Sequence, residues 1–360
     1  MHPIGYGIFS WISAFLTAMA YNYLTRFTGG IRIVTKTGGC YGDGYNMTDL
    51  RHKRNRIGFW ASPYGKKTIA ASILFLSGIR FLSAQVPAFN SERAFDDIKN
   101  QCAFGPRVPG SKGHADCLAF LTAELGRNTD RVVQQHFSAF DALQKKPVAL
   151  TNVIASFGRK GNRLLFCAHW DSRAFASADP DPKRRTEPVP GANDGASGAA
   201  VLLEVARILK QNPPPRGVDI VLFDGEDDGI GMQLDTWCLG SKHFIKRLHP
   251  NYKPRYAVLL DMVGDADLRL PVEINSQRFA PNVVETVWGK AQQLGLPAFE
   301  RNDGHEMVDD HLELLKAGIA AVDIIDIEYP YWHTVQDKPD KCSPASLWTV
   351  GTLVLHLIYE

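Results

Sequence analysis

The chain has 360 residues, of which 45% are hydrophobic and 22% are charged. This ordinary globular composition excludes a disordered chain, a collagen-like repeat and a coiled coil. The net charge of +2 conceals an asymmetry, because residues 1–84 contain 10 basic and 2 acidic residues. The acidic remainder argues against a nucleic-acid-binding surface. Six cysteines without a CxxC pair form no disulfide framework.

Residues 1–84 are predicted to be a targeting region. The segment Ile4–Leu24 has no charged residue and is just long enough for a transmembrane helix. Further along, basic residues precede the apolar run Thr68–Ile79 and the small-residue sequence Leu82–Gln85, which is the order of a secretory signal peptide. Three explanations stay open: translation starts at Met47, Ile4–Leu24 is an anchor, or residues 68–79 form a core helix. The first two predict a periplasmic or membrane-anchored protein.

Residues 90–360 alternate predicted strands and helices. Apolar runs predict strands over residues 152–157, 163–168, 218–223, 256–260 and 319–325. Helices are predicted over residues 198–211, 310–317 and 346–358, and the polar stretch 173–190 is predicted to be a long loop. Apolar strands separated by helices indicate a single α/β domain, with a central, mostly parallel mixed sheet flanked by helices.

Candidate metal ligands follow the ends of predicted strands or precede a helix. They are His169, Asp171, Asp194, Glu226, Asp227, Asp261 and His333. Because ligands in open α/β sheets bind beyond the carboxyl ends of the strands, we expect these side chains to meet at one edge. Imidazole and carboxylate together suit Zn²⁺. A single Asp before a helix is usually only an N-cap, so the joint pattern is what predicts a zinc site.

The motifs of this region resemble those of the zinc aminopeptidase/glutaminyl cyclase superfamily. They run in the order His169–Asp171, Gly191–Gly198, Phe223–Asp227, Leu260–Gly264, Asp309–His311 and Trp332–Thr334. Within this superfamily the chain is most similar to the animal-like glutaminyl-peptide cyclotransferases of bacteria. Trp332 directly precedes His333, and Asp309 begins the Asp-Asp-His triplet. The sequence Trp237–Ser241 and the loop of residues 173–190 also resemble this bacterial subgroup.

The resemblance implies a zinc-exopeptidase-like catalytic domain over residues 90–360. It implies that Asp194, Asp227 and His333 hold Zn²⁺, that Glu226, Asp261 and Asp309 are the catalytic acids, and that Trp332 walls the substrate pocket. His169 and Asp261 are also present as ligands for a second zinc, so the ligand set does not separate a cyclase from a peptidase. Two departures are Asp227, where animal cyclases have Glu, and Val308, where they have Gln.

The implied activity is cyclisation of an N-terminal glutamine of peptides or proteins to pyroglutamate, with release of ammonia. Glu226 would then take a proton from the attacking amine. The alternative is a two-zinc aminopeptidase, in which Glu226 would deprotonate a water molecule. A non-catalytic binding domain would be expected to have lost a ligand or the base, and neither is lost.

Several residues also allow structural interpretations. Trp332 could be a core residue, and Asp309 could be only the N-cap of the helix over 310–317. Asp171 is expected to orient His169 or a loop backbone, and His311 to support an acid or the backbone. Cys167 is expected to be a buried strand residue.

Overall fold

The computed structural model describes residues 86–159 and 161–360, so the predicted targeting segments lie outside the described residues. The strands are β1 (Val132–Asp141), β2 (Lys146–Phe157), β3 (Arg163–His169), β4 (Gly217–Phe223), β5 (Ala257–Asp261), β6 (Leu270–Val272), β7 (Phe299–Asp303) and β8 (Ala321–Ile325). Six of them form a sheet in the order β1–β2–β4–β3–β5–β8, and β6 pairs with β7. The pairs of β2 with β1 and with β4 are antiparallel, and the other three pairs in the large sheet are parallel. The predicted mixed, mostly parallel sheet is therefore confirmed.

Helices pack around this sheet. They are α1 (Ser91–Ala103), α2 (Lys112–Asn128), α3 (Ala196–Gln211), α4 (Leu239–Lys246), α5 (Ile274–Phe279), α6 (Pro281–Gln293), α7 (Asp310–Lys316) and α8 (Pro344–Tyr359). Side-chain oxygens of Asn90, Ser111 and Ser343 accept backbone N–H groups at the starts of α1, α2 and α8. Within the described part of the chain, no helix combines the length and the apolar character needed to cross a membrane.

Strand β3 shows why the sheet is buried on both faces. Leu164, Phe166 and Ala168 belong to the larger hydrophobic cluster, which includes residues of α1, α2, α3, α6 and α8. Leu165 and Cys167 point to the opposite face and belong to a second cluster with residues of α4 and α7. Successive side chains of a strand point to opposite faces, so a continuous apolar run requires cover on both. The expectation that Cys167 is a buried strand residue is confirmed.

Helix α3 lies close to the sheet because its first turns carry small residues. A Cβ atom at Gly198 would lie 2.2 Å from the carbonyl oxygen of Leu260 in β5, so only glycine fits there. This approach brings the start of α3, and Asp194 just before it, to the carboxyl ends of the parallel strands. The predicted helix over residues 198–211 begins two residues earlier than expected and ends where predicted.

Candidate active site

The candidate ligands meet at the carboxyl ends of the parallel strands, as the sequence pattern predicts. His169 and Asp261 are the last residues of β3 and β5, and Asp227 follows β4 by four residues. Asp194 precedes α3, and His333 lies in the segment after β8. All five side chains are buried. Residues up to 164 positions apart along the chain thus share one edge of the sheet.

One group of potential ligands consists of Asp194, Asp227 and His333. One ligand atom from each residue lies within 4.8 Å of the other two. His333 Nε2 is 2.8 Å from Asp227 Oδ1 and 3.7 Å from Asp194 Oδ2. His333 has a left-handed backbone (φ 53°), an uncommon conformation for a residue with a side chain. The segment after β8 thus places this imidazole opposite two carboxylates, and the backbone of His333 takes a sparsely populated conformation there.

A second group consists of His169, Asp194 and Asp261. His169 Nε2 is 3.1 Å from Asp194 Oδ1 and 3.1 Å from Asp261 Oδ1. Asp194 belongs to both groups, with one carboxylate oxygen toward each histidine. The structure therefore also brings together the residues predicted for a second zinc.

The polar atoms of the two groups fit a metal ion. Asp194 Oδ2 and Asp227 Oδ2 are buried and have no hydrogen-bond partner among the described residues. Buried polar atoms without partners are costly unless they are paired or coordinate a metal. Imidazole nitrogens with carboxylate oxygens are donors that zinc accepts in tetrahedral sites. The role of these residues as zinc ligands stays a prediction, and the chemistry of the donor set supports it.

Electrostatics in the site reflect this accumulation of buried charge. Burial and the negative charge of Asp194 raise the pKa of Asp227 well above its usual value. Burial also lowers the pKa of His333, to about 3. For Asp194, burial acts to raise the pKa, but hydrogen bonding and charge from His169 hold it below its usual value. A bound cation would relieve the mutual repulsion of these carboxylates.

Two of the three predicted catalytic acids, Glu226 and Asp309, lie in a third buried cluster with a cysteine, and the third acid, Asp261, lies in the group with His169. Ligand atoms of Glu226, Cys238 and Asp309 all lie within 4.8 Å of one another. Burial and the charge of Asp309 raise the pKa of Glu226 well above its usual value. Burial and the charge of Asp261 do the same to the pKa of Asp309. Carboxylates this close cannot all be ionised, so the cluster can hold and pass protons.

Asp309 is the N-cap of the last helix before β8, and its predicted role as a catalytic acid stays a prediction. Its Oδ1 accepts the backbone N–H of Asp310 at 2.5 Å, so it is the N-cap of α7. Its Oδ2 is buried and has no partner among the described residues. One carboxylate oxygen therefore caps the helix, and the other makes no hydrogen bond among the described residues.

Two tryptophans flank His333. The indole of Trp332 stacks on the imidazole with ring centroids 3.8 Å apart, and it is 37% exposed, so it is not a core residue. Trp237 lies parallel to the same imidazole at 6.4 Å. The guanidinium of Arg173 lies 5.1 Å from the Trp237 ring and donates hydrogen bonds to the carbonyls of Asp227 and Gly229.

Two buried residues that hold the loops of the site in place were not predicted from the sequence. Arg107 is fully buried and donates to the carbonyl oxygens of Trp170, Pro190 and Gly191. Asp337 accepts the backbone N–H of Asp194 at 3.1 Å, and burial raises its pKa to about 7. Both residues lie outside the motifs that predicted the site.

Two predicted neighbours take supporting positions. The loop of residues 173–190 lies against the segment that carries His333, since the Ala178 N–H donates to the His333 carbonyl at 3.1 Å. His311 lies between Glu273 and Asp323, with its Nε2 3.2 Å from Glu273 Oε2. The described cysteines (102, 117, 167, 238 and 342) are all free.

Comparisons with known proteins agree with this geometry. A model of peptidase family M28 matches residues 152–358. The structure of a Bacteroides thetaiotaomicron glutaminyl cyclase bound to N-acetylhistamine is similar, with 36% identity and a TM-score of 0.74 over 77% of this chain and 99% of that chain. A Zn-dependent exopeptidase from Parabacteroides distasonis has 38% identity and a TM-score of 0.73 over 76% of this chain and 99% of that chain.

A curated relative adds a peptidase to these similarities. Aminopeptidase YwaD of Bacillus subtilis is 29% identical over 204 residues, which are 54% of this chain and 40% of that protein. This chain thus spans less than half the length of that relative. The family match covers both candidate ligand groups and the acid cluster. The chain therefore belongs to peptidase family M28, and its fold and sequence are similar to those of a bacterial glutaminyl cyclase in particular.

Proposed function

We propose that the protein is a zinc-dependent glutaminyl cyclase, which converts the N-terminal glutamine of peptides or proteins into pyroglutamate. The observation that carries this proposal is the stacking of Trp332 on His333, in a chain that matches 99% of the length of a bacterial glutaminyl cyclase. In the reaction, the α-amine nitrogen forms a bond to the side-chain carbonyl carbon. The bond from that carbon to the amide nitrogen breaks, and ammonia leaves.

Asp194, Asp227 and His333 would hold the zinc ion. When bound there, Zn²⁺ acts as a Lewis acid toward the side-chain carbonyl of the substrate. The three residues come from the start of α3, the loop after β4 and the segment after β8. Because these segments are buried and tied to the sheet, the chain fixes the position of the ligands before substrate arrives.

Glu226 is the general base in this proposal. The α-amine has a reference pKa of about 7.7–8.0, so its proton must be removed as it attacks. The raised pKa of the Glu226 carboxyl, caused by burial and by Asp309, brings this group closer to the amine in proton affinity. Glu226 can therefore take the proton from the amine and return it to the leaving ammonia.

Asp261 and Asp309 retain and share protons behind Glu226. Burial raises the pKa of Asp261, and burial with the charge of Asp261 raises that of Asp309. At least one of the two carboxyls is thus held in its neutral form, which can donate a hydrogen bond. Through such a hydrogen bond the cluster would keep the transferred proton on Glu226 until the ammonia leaves.

Trp332 would wall the pocket in which the glutamine side chain folds onto its own amine. Holding a flexible side chain in the ring-closing conformation contributes to rate by proximity. An apolar wall also excludes water, which would compete with the amine as a nucleophile. The stacking of Trp332 on a ligand of the same site places the indole where both effects act.

A two-zinc aminopeptidase is the second candidate, and two observations favour it. His169, Asp194 and Asp261 form an intact second group beside the first, and the curated relative in Bacillus subtilis is an aminopeptidase. In that case Glu226 would accept a proton from water, and Trp332 would have no role in ring closure.

One experiment distinguishes the two candidates. The purified protein is incubated with peptides that begin with Gln and, separately, with peptides that begin with Leu. A cyclase releases ammonia and pyroglutamyl peptide from the first and leaves the second intact. A peptidase releases free leucine. Comparable leucine release by the zinc-loaded protein would overturn the cyclase proposal in favour of the peptidase.

For localisation we infer export, with either a periplasmic product or an anchor at residues 4–24. The supporting observations are the uncharged segment and the signal-like order of basic, apolar and small residues. N-terminal sequencing of the protein isolated from its native membrane and soluble fractions tests this. A mature chain that begins near residue 85 supports cleavage.

A further inference from the structure

The thiol of Cys238 lies against the proposed general base. Cys238 Sγ donates to Glu226 Oε1 at 3.5 Å, and the Cys238 backbone N–H donates to the Glu226 carbonyl at 3.0 Å. This is the one hydrogen bond that the Glu226 carboxylate makes among the residues that the structure describes. Cys238 is 2% exposed and has a left-handed backbone (φ 54°) at the start of α4. The fold thus holds a thiol, at some conformational cost, at the floor of the site.

Asp309 completes this cluster from another part of the chain. One of its carboxylate oxygens lies within 4.8 Å of both the thiol and a Glu226 oxygen. Its Oδ2 is unpartnered, and the residue is only 3% exposed. Two buried carboxylates and a thiol at this spacing form a set of donors that suits a divalent cation. Glu226 and Cys238 belong to no other group of potential ligands, whereas Asp309 also belongs to a group with His311 and Asp323.

We propose that Glu226, Cys238 and Asp309 form a separate inhibitory site for a soft divalent cation, such as Cd²⁺ or Zn²⁺ in excess. Sulfur is the ligand that distinguishes this site, because thiolates favour soft cations whereas the histidine-containing groups offer only nitrogen and oxygen. Binding would release the thiol proton to the solvent, since a coordinating thiol is deprotonated. No oxidation or reduction takes place.

The cation would inhibit because it would coordinate a carboxylate that catalysis needs. This part of the inference rests on the proposed function. A Glu226 carboxylate that coordinates a cation cannot accept the amine proton. Glu226 is the most exposed of the three residues, at 8%, so the cation would enter along its carboxylate. The cyclase would then be active with one tightly bound zinc and inhibited by further soft cations.

The test is a Cd²⁺ titration of the zinc-loaded protein that follows two signals. The ultraviolet charge-transfer band of a cadmium thiolate reports binding at Cys238, and turnover of a Gln-peptide reports inhibition. In the wild type we expect one cadmium thiolate per chain to form in parallel with inhibition. Outer contacts to a metal site typically contribute about 10–100-fold to affinity, so Cys238→Ser, which removes a ligand, should raise the inhibition constant at least about tenfold and abolish the band.

Cys102→Ser is the matched control, because Cys102 is a partly exposed cysteine in α1, outside the site. It should keep both the band and the inhibition. A band that persists in Cys238→Ser, or inhibition of the wild type without a band, would overturn the proposal. If the wild type binds Cd²⁺ through Cys238 but cyclises no peptide, the cation site stands and the proposed function fails.

Discussion

The carboxylate of Asp171 accepts the backbone N–H of Asp227 at 3.3 Å. Its other oxygen accepts the N–H of Glu226 at 3.2 Å and lies 3.6 Å from His169 Nδ1. Burial acts to raise the pKa of Asp171, but the contact with His169 and the backbone donors lowers it overall. One ionised carboxylate thus ties the proposed base, a proposed zinc ligand and a histidine of the second group to one another.

Replacing Asp171 should therefore loosen the metal site. In Asp171→Asn an amide NH₂ would face one of the two backbone N–H groups, so one hydrogen bond is lost and two donors oppose each other. We expect zinc affinity to fall about 10–100-fold, as for other residues that orient ligands. Competition with a chelator measures it. Asp181→Asn, an exposed acid in the loop of residues 173–190, should bind zinc as the wild type does.

A second prediction concerns His333. His333→Ala removes one of three proposed ligands and should lose zinc during dialysis, whereas the circular dichroism spectrum should stay that of a folded protein. The sheet does not depend on this imidazole, because His333 lies in the segment after β8. His249→Ala, at an exposed position, is the control and should retain zinc. A full complement of zinc in His333→Ala would remove this residue from the ligand set.

A third prediction concerns Glu226. Glu226→Gln keeps the shape of the side chain but not its basicity, so turnover should fall by about 10²–10⁴. Zinc content should not change, because Glu226 belongs to none of the histidine-containing groups. Steady-state rates with a Gln-peptide and metal analysis of the same samples measure both effects. Turnover near that of the wild type would exclude Glu226 as the base, and the exposed Glu187→Gln serves as the reference.

A fourth prediction is a pH dependence of stability at Glu273. Burial acts to raise the pKa of Glu273, but the contacts with His311 and with the N–H groups of Met307 and Asn275 lower it to about 2. A carboxyl whose pKa is lower in the folded protein stabilises it above the unfolded value of about 4.3. This contribution is lost as the pH falls toward about 2.

Glu273→Gln should thus lower the free energy of unfolding by about 1.5–3 kcal/mol near neutral pH, the value of hydrogen bonds to a charged group. The difference from the wild type should shrink as the pH falls below about 4. Urea unfolding of both proteins in the metal-free state, at neutral and at acidic pH, measures it. A difference that does not change with pH would mean that the charge of Glu273 does not stabilise the fold.

The sheet and the site edge could be predicted because both depend on local patterns. Apolar runs such as residues 163–168 have few alternatives to a buried strand, and the parallel arrangement then sends His169 and Asp261 to one edge. Strand β1 and helix α2 were not predicted. The exposed side chains of β1 alternate with half-buried ones and give it no apolar run. The position of each strand within the sheet, such as that of β2 antiparallel beside β4, depends on long-range pairing that no local sequence pattern records.

The residues missed in the site share a different property. Arg107, Asp337 and Cys238 support it through backbone carbonyls, backbone N–H groups or a thiol contact. Such contacts depend on where loops from distant parts of the chain meet. Their residue types are also common outside functional sites, and the resemblance of Trp237–Ser241 to the bacterial subgroup gives Cys238 no role of its own. The ligands could be found because histidine and acids repeated at strand ends carry chemistry in the residue type itself.

Trp332 separates the two leading functions, and its position sharpens the last prediction. Its indole stacks on His333, yet 37% of it remains exposed, so it borders the site rather than the core. Its removal should leave the zinc ligands in place. In a cyclase, loss of this wall frees the glutamine side chain and admits water, so ring closure should suffer more than metal binding.

We therefore expect Trp332→Ala to reduce kcat/KM for a Gln-peptide by at least about tenfold, which corresponds to about 1.4 kcal/mol of transition-state stabilisation. Zinc content should equal that of the wild type. Trp348→Ala, at an exposed tryptophan in α8, is the matched control and should cyclise normally. A peptidase needs water beside the first peptide bond, so there Trp332→Ala should leave leucine release intact. Unchanged cyclisation by Trp332→Ala would exclude the indole as a pocket wall, because a wall that positions the substrate and excludes water must affect the rate of ring closure.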